Sequence, residues 1–67
     1  MKHELLEKVK EEKNELDEKI AKLYAITKSN EFEDLSAIHK MLLSKQLDAM
    51  TDYSAILAVR LELINKK

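Results

Sequence analysis

Apolar side chains recur at three- and four-residue steps along two long stretches of this chain, with a short polar break between them. In the first stretch Leu6, Val9, Leu16, Ile20, Leu23 and Thr27 follow that rhythm once Lys13 is admitted to the missing position. This is a heptad seam, with Leu6, Lys13, Ile20 and Thr27 at one core position and Val9, Leu16 and Leu23 at the other. It predicts a helix over about residues 4–28, flanked by Leu5 and Tyr24. The opposite face mixes Glu and Lys, including the supporting pairs Glu4–Lys8, Glu15–Lys19 and Glu18–Lys22, and reads as solvated. Lys13 can carry its ammonium out along its aliphatic stem, set the register as polar core residues do, or reach an anion.

The second stretch predicts a longer helix, about residues 35–65. At about 100° per residue, Leu35, Ile38, Leu42, Leu43, Leu47, Ala49, Met50, Ile56, Leu57, Leu61 and Ile64 fill roughly half its circumference. A helix packed on one neighbour needs a stripe nearer 100° wide. Down the middle of the arc run His39, Gln46, Tyr53 and Arg60, seven residues apart. Each seven-residue step drifts only about 20° on a straight helix, so the four polar-tipped side chains form one ladder in apolar surroundings.

Between the helices, about residues 29–34 form a turn. Asn30 tolerates the left-handed conformation that ends helices, Asp34 or Ser36 can cap the next one, and Phe32 is placed to plug the turn end. So short a connection makes the helices antiparallel. The expected fold is all-α, a single domain over residues 1–67, a coiled-coil-like antiparallel helical hairpin. Its first helix covers only part of the second, so the hairpin is expected to assemble into a homo-oligomeric bundle through Leu43, Leu47, Met50, Leu57, Leu61 and Ile64. An exposed apolar strip of that length is otherwise a liability, and a chain of this size has a marginal core of its own.

Composition narrows the chemistry. The chain has no cysteine, glycine or proline. That removes disulfides and Cys-based metal sites, Gly-rich phosphate loops and tight primed hairpin turns. The two histidines, His3 and His39, fall on different helices, so no metal site is expected. Twelve basic residues balance thirteen acidic ones, which suggests neither a nucleic-acid-binding domain nor an acidic mimic. No signal peptide and no membrane-spanning run is visible, and a cytoplasmic address is expected. No cofactor is implied. Ser36, Ser44 and Ser54 have no His and carboxylate set in a triad arrangement, and the carboxylates sit mostly on solvated faces, so the chain reads as a non-enzyme.

The ladder has two readings. In one, its members satisfy each other across a symmetric interface and specify register. In the other they line a ligand groove between protomers, where Tyr53 offers a stacking face and Arg60 a planar fork for phosphate or carboxylate. Gln46 would supply an amide, His39 a titratable donor or acceptor, and Lys13 a further cation.

Leu6-Glu7-Lys8-Val9, Glu12-Lys13-Asn14-Glu15-Leu16-Asp17-Glu18-Lys19-Ile20, Lys22-Leu23 and Glu31-Phe32-Glu33-Asp34-Leu35 lead into a second-helix pattern. That pattern carries Leu42, Leu43, Gln46, Leu47, Met50, Tyr53, Ile56, Leu57, Arg60 and Leu61. With these residues the chain resembles a family of small helical proteins of crAss-like and other tailed phages and prophages. Gln46, Tyr53 and Arg60 belong to that pattern; His39 lies where relatives are expected to be more acidic. The resemblance implies phage origin and a site of action in the infected bacterial cytoplasm. By analogy with other short, oligomeric phage proteins, it suggests an anti-defence sponge that sequesters a cyclic nucleotide or ADP-ribose-derived immune signal. The alternative is an inhibitor or adaptor that lays an apolar helix face on a host or phage protein.

Overall fold

A computed structural model describes residues 2–66. It is all-helical, with no strand among the described residues: α1 spans Lys2–Thr27, α2 Asn30–Glu33 and α3 Ala37–Asn65. At 26 and 29 residues, the two long helices laid end to end would reach about 80 Å. The chain measures 49 × 15 × 14 Å, so they lie side by side, and α1 packs along α3.

The facing seams can be read from the positions shielded from solvent. On α1 these are Leu6, Val9, Lys13, Leu16, Ile20, Leu23 and Thr27, the heptad seam expected from the sequence; all are half-buried except Val9, which is buried. On α3 they are Lys40, Leu43, Leu47, Met50, Ser54, Leu57, Leu61 and Ile64, again in unbroken three- and four-residue steps. Among the described residues only Val9 and Leu57 are buried outright, Leu57 with no exposed surface. Complete burial of one leucine stabilises by about 2 kcal/mol, so this two-helix core is thin.

The connection differs from the expected turn. Among the described residues none has a positive φ, so Asn30 does not stop α1 in the left-handed region; instead it starts α2. Ser29 makes the joint. Its hydroxyl donates to Ile26 O at 2.7 Å, at the end of α1, and accepts from Phe32 N at 3.4 Å, at the start of α2. Leu35 lies outside the second long helix, because extended Ser36 (φ −65°, ψ 159°) is the N-cap, its hydroxyl accepting from His39 N at 3.2 Å. Phe32 is half-buried under Lys40, whose ammonium stands 5.7 Å from the ring centroid and 3.5 Å from Glu33 Oε1.

Candidate functional site

Every side chain of the ladder is exposed. His39, Gln46, Tyr53 and Arg60 lie on the outer surface of α3, not at the centre of one continuous apolar arc. The broad arc separates into two heptad seams. The inner one faces α1. The outer one runs His39, Leu42, Gln46, Ala49, Tyr53, Ile56, Arg60, Leu63, in unbroken three- and four-residue steps, all exposed. Each outer position directly precedes an inner one, so stepping by about 100° per residue sets the two seams about 100° apart.

Leu43, Leu47, Met50, Leu57, Leu61 and Ile64, expected as the surface between copies, all belong to the inner seam and pack toward α1. One helix can present only one of its two seams to one neighbour. The inner seam, made continuous by Lys40 and Ser54, is the one α1 covers. The residues left open are instead Leu42 at 57 % exposure, Ile56 at 56 % and Leu63 at 65 %.

Two cross-helix links tie this surface to α1. The Tyr53 hydroxyl donates to Glu12 Oε2, which lays the phenol along the α1 side of the outer seam. One residue on, Ser54 Oγ donates to Asp17 Oδ1 at 2.6 Å, while Lys13 Nζ pairs with Asp17 Oδ2 at 2.8 Å. The Lys13 ammonium and the Ser54 hydroxyl together hold the Asp17 carboxyl below the ordinary aspartate value. Lys13 is thus engaged by its own helix rather than held out beside the ladder.

Glu12, Asp17 and Ser54 were not singled out from the sequence. The signal was present, since Ser54 interrupts the inner seam of α3 as Lys13 interrupts that of α1, and Asp17, four residues past Lys13, joins the two interruptions.

Among the described residues no side-chain hydrogen bond or ion pair engages His39, Gln46 or Arg60. No pocket forms there, and among the described residues no group of three or more His, Asp or Glu is placed to hold a metal ion. What the surface offers is a row of hydrogen-bonding and stacking groups about 10 Å apart, alternating with aliphatic side chains.

The family described as Sequestin matches this chain over residues 3–63. No curated protein and no solved structure matches it.

Proposed function

The chain belongs to the Sequestin family, and from that premise we propose that it is a non-enzymatic binding protein that sequesters a nucleotide-derived signal between copies of itself. The family match runs through both long helices, and the word Sequestin fits capture rather than conversion. The observation that carries the chemistry is the outer face of α3. There Tyr53, Arg60, Gln46 and His39 stand in one exposed row with no pocket of their own, so a second surface is needed to enclose anything they hold.

In this reading the antiparallel hairpin is the protomer and the assembly is a homo-oligomer. The Arg60 guanidinium meets phosphate and the Tyr53 ring stacks on a base. Gln46 and His39 orient the ligand through polar edges, whereas Lys13, paired with Asp17, is left out of the ligand set. The biological setting we propose is a phage accessory protein that acts in the cytoplasm of the infected bacterium and blunts a defence system signalling through cyclic nucleotides or ADP-ribose derivatives.

Native mass spectrometry, with the protein alone and with a panel of cyclic dinucleotides and ADP-ribose cyclisation products, tests this directly. An oligomer that gains whole-number increments of one compound supports it. An oligomer that gains nothing from any of them overturns the nucleotide assignment and favours the protein-docking alternative, for which exposed Leu42, Ile56 and Leu63 are the contact residues.

A further inference from the structure

We propose that the outer seam of α3 docks antiparallel on the same seam of a second copy of this chain, about a twofold axis between Leu47 and Asp48. The seam has the regularity of a coiled-coil stripe over eight successive positions, His39 to Leu63, although nothing in its own chain covers it. Aliphatic residues at that spacing, more than half exposed, mark a surface that joins another helix.

The identity of the second helix follows from complementarity. In a parallel pair each rung meets its own copy, which stacks Arg60 on Arg60 and His39 on His39. Antiparallel pairing sets three of the four polar-tipped rungs against an aliphatic one, and Arg60 lies beyond the paired stretch, toward the turn of the other copy. His39 meets Ile56, Gln46 meets Ala49 and Tyr53 meets Leu42, each contact occurring twice by symmetry.

Register is fixed by the residues just before the rungs, which flank the seam on its solvent side: Ile38, Lys45, Asp52 and Val59. Flanking charges set orientation and partner choice in such pairs. In the register described, Lys45 of each copy stands beside Asp52 of the other, and Ile38 beside Val59. A slide of one heptad in one direction puts Lys45 beside Lys45, and in the other direction Asp52 beside Asp52. Only this register matches opposite charge to opposite charge and apolar to apolar. Ile38 and Val59, 60 % and 56 % exposed in the single chain, are then covered by each other.

This arrangement also interleaves the two ladders. Tyr53 of each copy comes to lie between His39 and Gln46 of the other, so each of two equivalent sites draws its ring from one copy and its amide and imidazole from the second.

Charge exchange tests the register. Lys45 and Asp52 are exposed and among the described residues neither makes an ion pair within a single chain, so K45D and D52K leave the protomer's helical circular dichroism unchanged. By sedimentation equilibrium each variant alone self-associates about tenfold or more weakly than the parent, because two attractive pairs become repulsive. Mixed in equal amounts, the two variants re-create both opposite-charge pairs and recover association at the parent's strength. A parent chain that stays monomeric at high micromolar concentration overturns the proposal, as do single variants that associate normally or a mixture that recovers nothing. These measurements contain no nucleotide, so their outcome is separate from that of the sequestering function.

Discussion

Ser54 of α3 donates to the same carboxylate of Asp17 on α1 that Lys13 engages from the preceding turn, at 2.6 Å and 2.8 Å. The two polar interruptions in otherwise aliphatic seams thus meet at one acidic group. A charged residue inside a seam is often retained for register rather than for stability, and this cluster fixes which turn of α1 lies beside Ser54.

The depressed Asp17 value gives the pH dependence its sign. A carboxyl lowered in the folded state contributes stability above its unfolded value near 4, and that contribution disappears as pH falls through the lower folded value. Thermal unfolding followed by circular dichroism between about pH 2 and 6 should show midpoints falling on the acid side. D17N should flatten that limb, and lower the midpoint at neutral pH.

Leu57 and Leu63 lie on the same helix and differ in which seam they occupy. Leu57→Ala removes the fully buried side chain of the chain's core and should cost about 2–5 kcal/mol, enough to unfold most of a domain this small. Leu63→Ala, at 65 % exposure, should change protomer stability by less than about 0.5 kcal/mol. Urea denaturation of the two variants at low protein concentration makes the comparison.

Ser36 caps α3 through its acceptance of the His39 N–H. Ser36→Ala should destabilise by about 1 kcal/mol, whereas Ser36→Asp should hold stability or raise it, as an acidic N-cap favours the helix dipole. Paired thermal melts distinguish loss of the cap from loss of the side chain as such.

For the ladder, Arg60→Ala and Tyr53→Ala should each weaken capture of the bound nucleotide by about tenfold or more, in line with loss of one charge-assisted contact or one stacking ring. Tyr53→Phe keeps the ring and removes only the hydrogen bond to Glu12. It should retain most of the affinity if stacking is what Tyr53 contributes. Isothermal titration with the compound identified by mass spectrometry provides the readout.

Much of this architecture was legible in the residues. The seam of α1, the longer second helix and the packing of Phe32 follow from spacing and from side-chain type, and Ser36 is one of the two caps, with Asp34, that the sequence offers. The phase of α3 was harder to read. Its apolar residues spread over two stripes about 100° apart, and a wheel drawn from the sequence merges them into one arc with the ladder at its centre. What separates them is the fit of Lys40 and Ser54 into the stripe that α1 covers, two polar residues that a hydrophobic count discards. The turn was misread for a related reason. Asn30 favours left-handed backbone in general, but here Ser29, itself extended, bonds forward and backward at once, and no described residue has to adopt a positive φ.

The Ser29 joint has a kinetic consequence. The turn's hydrogen bonds, Ser29 N to Ile26 O, Asp34 N to Glu31 O, Leu35 N to Phe32 O and Lys40 N to Ser36 O, all close over three or four residues. Reversal of the chain therefore needs no search for a distant partner, and without proline there is no slow isomerisation to wait for. Helices with such local contacts dock in microseconds to milliseconds. Folding time is then short beside the time needed to synthesise the chain, so under the pairing proposed above the slow step for each new copy is its encounter with a second one.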